Sequence, residues 1–197
     1  MLGSERLAVH FPDSAEVPES TRHFELRSLI YDFLTLAFSD VATIGCDQFL
    51  YWDPSNPRAC LSPDAFLRFG PKDEHFRSWK VWERGTPHVA VEIISDSDAS
   101  EPSWDEKLER YRRVGVSELV WFDPEAPGHP LRIWDLVGGD LRERRLLAPL
   151  AQSPLLNGYW LPIPEPSGGL TLRLSRDEQG LELFPTLAEH HALLFRA

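Results

Sequence analysis

The spacing of apolar and polar residues changes several times along the chain, and each change predicts an element. In "PESTRHFELRSLIYDFLTLAF" (Pro18 to Phe38), Leu26, Leu29, Ile30, Phe33, Leu34 and Ala37 recur at three- and four-residue intervals. That is the mark of an amphipathic helix with one face on a core. Ser20 or Thr21, after Pro18, can cap it. His23 stands three residues before Leu26 and seven before Ile30, on the same inward stripe; a lone histidine there suits a core or capping role. The pattern then shortens. "VATIGC" and "QFLYW", parted by Asp47, and "NPRACLSPDAFLRF", which rises from a Pro/Asn turn into alternation, read as antiparallel strands. "GPKDEHFRSWKVWERGTP" is polar with embedded aromatics and predicts an ordered loop or short helix.

From His88 the signal sharpens. "HVAVEII" is an almost continuous β-branched run, as expected of a strand buried on both faces. Alternation puts Val89, Val91 and Ile93 on one side and Ala90, Glu92 and Ile94 on the other. "SWDE" (Ser103 to Glu106) is a capping box opening a helix that turns Trp104, Leu108 and Tyr111 inward and ends at Gly115. "SELVWFDP" is a second buried strand closed by Asp123-Pro124. Strand, helix and strand with short connections form a βαβ unit, so these strands run parallel and the fold is α/β. Beyond it, "LRIWDLVGGDLRERRLL" predicts a hairpin around Gly138-Gly139. "PIPEPSGG" reads as a linker and "LTLRLSRDEQGLELF" as a further hairpin, with a terminal helix near Thr186 to Leu194.

The 197 residues suit one compact domain with a small appendage. Hydrophobic residues at 42% and the lack of any apolar run near the roughly 18 residues of a membrane span predict a soluble protein. "MLGSERLAVHFPDSAEVPES" does not read as a secretory signal, which predicts a cytoplasmic setting. Cys46 and Cys60 form no C-x-x-C pair and are expected to be buried thiols. A formal net charge of -11 argues against indiscriminate phosphate binding, which draws on a basic face. The basic runs "ERYRR" and "RERR" suit solvated faces. No P-loop, dinucleotide-binding turn, nucleophile elbow or H-E-x-x-H helix occurs, which weakens a nucleotide or sugar hydrolase.

Glu92 is the anomaly in this pattern, because a carboxylate on a doubly buried strand costs several kcal/mol unless paired or bound to metal. Asp64, after Pro63, is a second carboxylate at a strand start. On neighbouring strands the two would converge on one hard divalent cation such as Mg2+. Lys107, beside the buried face of the following helix, reaches the Glu92 strand. Asp, Glu and Lys around a divalent ion suit phosphodiester hydrolysis: the ion activates water and Lys orients or helps deprotonate it. The spacing equally suits a buried Glu92–Lys107 salt bridge with Asp64 capping a turn.

The block "SPDAFL … SWKVWERGTPHVAVEIISDSD … DEKLERYRRVGVSELVWFDPE … SPLLNGYWLPIPE" resembles the Uma-type restriction-endonuclease family, over roughly Pro18 to Glu165. The resemblance rests on a P-D before a strand, a V-E-I-x-S strand, a K-L-x-x-Y-x-x-x-G-V helix and a strand ending in D-P, in that order. It implies similarity to PD-(D/E)XK nucleases: a mixed central β-sheet flanked by helices, a divalent metal (Mg2+ or Mn2+) and DNA as substrate. By motif position, Asp64 and Glu92 match the metal ligands and Lys107 a catalytic lysine moved from the strand, where Ile94 now stands, onto the helix. His23 matches a first-helix histidine and is a possible accessory residue. Asp96 replaces the family's usual proline, and Ser103 an acidic residue. The resemblance divides the chain into a nuclease-like unit, 1–165, and a C-terminal hairpin and helix extension, 166–197, packed on the same domain. It is compatible with a homodimer, since a duplex has two strands to cut. The competing expectation is a non-catalytic oligomeric or partner-binding module on a nuclease-like scaffold, with the seven tryptophans and the C-terminal tail as its surface.

Overall fold

Ser20 turns its hydroxyl back to the His23 amide, 3.1 Å away, and so starts the first helix where a side-chain oxygen supplies an acceptor that the helix itself lacks. This helix, α1 (Thr21–Phe38), buries Leu26, Ile30, Phe33 and Leu34, with Leu29 and Ala37 packed at the margin of the same cluster. Each of the four contributes roughly 1.5–3 kcal/mol by leaving water, which fixes the helix against the sheet. The structure is a computed structural model describing residues 10–12, 20–71, 76–95, 103–126, 128–146, 148, 150–166 and 168–195.

The central sheet is six-stranded and mixed. Its spatial order is β1 (Ala42–Gly45), β4 (Ala65–Phe69), β6 (Val89–Ile93), β7 (Glu118–Phe122), β8 (Leu131–Val137) and β9 (Asp140–Glu143). All neighbours are antiparallel except β6 and β7, which run parallel on either side of α3 (Trp104–Val114) in sequence. Ser103 and Glu106 close the capping box, and Gly115 ends α3 at φ 82°, a left-handed turn that glycine makes without a Cβ clash. Gly45 has a different reason to be small: a Cβ there would come 2.1 Å from the ring of Phe66, its cross-strand partner.

Two smaller sheets flank the centre. β2 (Leu50–Tyr51) pairs antiparallel with β3 (Cys60–Leu61) and parallel with β5 (Trp79–Lys80), which leads into the short helix α2 (Val81–Arg84). β10 (Ala151–Ser153), β11 (Gly158–Pro164) and β12 (Leu170–Ser175) form an antiparallel sheet. One core holds Val89, Val91, Ile93 and Val120 between α1 and the β10–β12 sheet; the other holds Ala90, Leu119 and Trp134 against Tyr111 and Val114 of α3 and Trp79. α4 (Leu187–Leu194), capped by Thr186 and Glu189, buries none of its residues. No helix among the described residues is long and apolar enough to cross a membrane.

The expected α/β fold with a mixed central sheet is what the chain adopts, and four local patterns resolve differently. "NPRACLSPDAFLRF" is two strands in two sheets, β3 and β4, divided at Pro63, which has no N–H to continue a ladder. "VATIGC" and "QFLYW" accordingly lie in separate sheets. "PIPEPSGG" is half strand: Pro162 and Pro164 belong to β11, and beyond it the Glu165 amide donates to the Gly169 carbonyl and the Gly168 amide to the Glu165 carbonyl. These prolines are tolerated because β10 pairs with β11 no further than Trp160, leaving their stretch a single neighbour. "LTLRLS" therefore pairs back onto β11, and its expected partner "GLELF" makes one bridge, Ser175 with Leu183.

Candidate functional site

β6 is buried along its whole length, with Glu92 on the face toward α3 and only 5% exposed. β4 runs antiparallel beside it, with Ala65 opposite Val91. Continuing that register by one residue sets Asp64 opposite Glu92, a relation that brings Cβ atoms to about 5 Å. The break at Pro63 thus carries a second carboxylate to the end of the sheet at which Glu92 lies.

Asp64 is held from two directions. Its Oδ2 accepts the Ile93 amide of β6 at 2.7 Å, and its Oδ1 lies 2.6 Å from His23 Nε2 on α1. It is not a turn cap: both contacts reach across the tertiary structure. Glu92 is held from α3, its Oε2 accepting Lys107 Nζ at 3.3 Å and its Oε1 the Tyr111 hydroxyl. Asp64, Glu92, Lys107 and His23 therefore belong to one neighbourhood built by β4, β6, α3 and α1.

The charges in this neighbourhood do not balance comfortably. Burial pushes the Glu92 carboxyl up to about 7; Lys107 opposes the shift, Asp64 adds to it, and the Tyr111 hydrogen bond opposes it. A second anion beside a buried carboxylate is an arrangement that a divalent cation relieves. Among the described residues no group of three or more His, Cys, Asp and Glu donors gathers to hold a metal, so Asp64 and Glu92 stand as a two-carboxylate set. Asp96, the departure noted after β6, lies outside the described residues.

Two neighbours were not anticipated in these roles. The pattern of α3 suits Tyr111 to the core, yet its hydroxyl holds Glu92; the signal is its spacing, four residues after Lys107 on one helix face. Arg27, one turn after His23, sets Nη1 3.2 Å from Cys46 Sγ and 3.7 Å from Asp47. Burial pushes the Cys46 thiol up to about 11, with Arg27 partly offsetting it, so the sulfur stays protonated and poorly nucleophilic. Cys46 and Cys60 are both free thiols.

With this geometry in view, comparison with known proteins gives three findings. The family model described as "Uma2: Putative restriction endonuclease" matches residues 14–164. The crystal structure of a putative nuclease belonging to DUF820 from Anabaena variabilis ATCC 29413 is similar in fold, with a TM-score of 0.50 at 13% identity, over 71% of this chain and 75% of that one. No curated protein matches the sequence.

Proposed function

The chain belongs to the Uma2 family, described as putative restriction endonucleases, and from that premise we propose that it is a divalent-metal-dependent DNA endonuclease hydrolysing phosphodiester bonds. One observation carries the reading: Asp64, just before β4, is bonded to the Ile93 amide and acts on the charge of Glu92, while Lys107 contacts Glu92 from α3. The donor set fits Mg2+ or Mn2+, since Mg2+ usually takes one or two carboxylates from the protein and completes its shell with water and phosphate. Asp64 and Glu92 would hold the ion. Bound there, it would polarise a phosphoryl oxygen and lower the pKa of a water molecule.

The chain's own groups prepare that chemistry. His23 and the Ile93 amide fix the rotamer of Asp64, as partners of ligating carboxylates commonly do. Tyr111 fixes one oxygen of Glu92 and leaves Lys107 on the other. From that position the Lys107 ammonium orients the attacking water and meets charge developing on the phosphoryl oxygens. Cutting both strands of a duplex calls for two such centres, so a homodimer belongs to the proposal, in a reducing cytoplasmic setting where both cysteines stay thiols.

Titration calorimetry of Mn2+ into the wild type, Asp64→Ala and Glu92→Ala, with folding checked by circular dichroism, tests the reading. Binding in the wild type that both variants lose, together with Mg2+-dependent cleavage of plasmid DNA, is the expected result. Absence of binding in all three would leave Glu92–Lys107 as a structural ion pair. A second reading, a partner-binding module on this scaffold, is favoured by one observation: Leu193, Leu194 and Phe195 at the end of α4 are 61%, 63% and 90% exposed.

A further inference from the structure

The register of the central sheet connects Glu92 to a distant cation. Glu92 pairs with Trp121 on β7, and Trp121 with Arg132 on β8. Directly paired residues share a face, so these three side chains form a row on the α3 side. Between β8 and β9 the last pairs are Trp134 with Glu143 and Asp135 with Arg142, and the backbone bond from Arg144 N to Ile133 O, 2.7 Å, carries the same register one step further. The next position sets Arg145 opposite Arg132. The row is then Glu92, Trp121, Arg132, Arg145, and three strand spacings make it about 14 Å long.

Its far end opens into a cleft of about 620 Å³ whose lining includes His129, Arg132, Glu143, Arg144 and Arg145. The cations there are not equivalent. Arg132 is forked on Glu143, with both nitrogens at 2.8 Å, and its guanidinium lies over Trp134 at 4.7 Å and Trp121 at 5.6 Å. Arg144 is committed to Asp135 and Glu118. Arg145 is exposed and has no ion-pair or hydrogen-bond partner among the described residues. It is therefore the uncompensated charge of the cleft, held beside an arginine whose own fork is already occupied.

We propose that Arg145, in this cleft, binds a backbone phosphate of the nucleic-acid substrate on the flank of the cleaved bond. This rests on the nuclease reading of Asp64 and Glu92. The physical reason lies in the charge of the chain: at -11 it repels a polyanion as a whole, so binding must come from local cations aligned with the site. The contact reads phosphate and carries no base information.

The test is binding of a labelled 20-base-pair DNA duplex by the full chain in Ca2+, as a function of salt, for the wild type, Arg145→Ala, Arg145→Lys and Arg142→Ala. Arg142 lies three residues away and pairs with Asp135, so its row faces the other side of the hairpin, while its removal changes the net charge equally. Arg145→Ala is expected to weaken binding on the order of fivefold at low salt and to reduce the slope of log K against log salt by about one, whatever the DNA sequence. Arg145→Lys retains the slope, and Arg142→Ala resembles the wild type. Wild-type binding that Arg145→Ala leaves unchanged, or that Arg142→Ala weakens as much, overturns the cleft and leaves the nuclease reading standing. A wild type that neither binds nor cleaves the duplex overturns both.

Discussion

Glu92 and Glu118 are two buried glutamates on adjacent parallel strands, and they are solved differently. Glu118, 1% exposed at the start of β7, faces the β10–β12 side; its oxygens accept Arg144 Nη2 at 3.1 Å and Trp160 Nε1 at 3.0 Å. An arginine that cannot deprotonate and an indole that can only donate give that carboxylate two donors suited to its charge. They also tie the outer sheet to the central one. Glu92 faces the other side, with a lysine and a phenol as donors and Asp64 as an anionic neighbour. Burial is common to both. What differs is whether the surroundings finish compensating the charge, and only Glu92 is left with a reason to take a cation.

That contrast is open to direct attack. The largest effect belongs to the chemistry: Asp64→Ala and Glu92→Ala should each lower DNA cleavage on the order of 10^3-fold, a scale at which single electrostatic groups act in enzymes. Glu118→Ala should not remove Mn2+ binding from the folded protein. Cleavage by purified Glu92→Ala at the wild-type rate would end the distinction in favour of two structural glutamates.

Stability should sort the pair the opposite way. Glu118→Ala leaves the Trp160 indole unsatisfied and strands one arm of Arg144, which predicts a loss of about 3 kcal/mol in urea unfolding. Glu92→Ala should cost less, because it removes an anion already disfavoured by burial and by Asp64. Equal losses would show that both sites are clamps.

The supporting residue gives a smaller effect. His23→Ala frees Asp64 Oδ1 and should weaken Mn2+ binding or cleavage about 10- to 100-fold, the usual range for a partner of a metal ligand. His23→Gln, which retains a donor, should recover part of it. An unchanged His23→Ala would reduce the histidine to packing.

The mildest test uses pH. Because the folded Glu92 carboxyl lies near 7, above the 4.5 of the exposed group, the native state holds its proton more tightly than the unfolded chain. Its contribution is fully present below pH 4.5 and lost as pH rises through 7. In EDTA, the melting temperature of the wild type should therefore fall relative to Glu92→Gln between pH 5 and pH 8. A difference that stays flat over that window would mean that Lys107 and Tyr111 compensate Glu92 fully, as Arg144 and Trp160 do Glu118.

Much of this was legible in the chain. The 3.6-residue stripe of α1, the β-branched run of β6, the capping box of α3 and the left-handed Gly115 are local preferences that tertiary contacts reinforced. Glu92 stood out because it interrupts an apolar run, and Lys107 because its helix follows at once. The division of "NPRACLSPDAFLRF" was less legible, since alternation continues through a proline whether or not the strand changes sheet.

Residue spacing and desolvation are enough to place the βαβ centre and a carboxylate that burial would make costly. Which charges meet depends on long-range packing. His23 reaches Asp64 over 41 residues and Arg144 reaches Glu118 over 26, distances across which periodicity carries no information. Glu118 opens β7 after Ser117 and is buried because the β10–β12 sheet covers it. The difference between the two glutamates therefore resides in long-range register, which pairing across the sheet sets and no local pattern encodes.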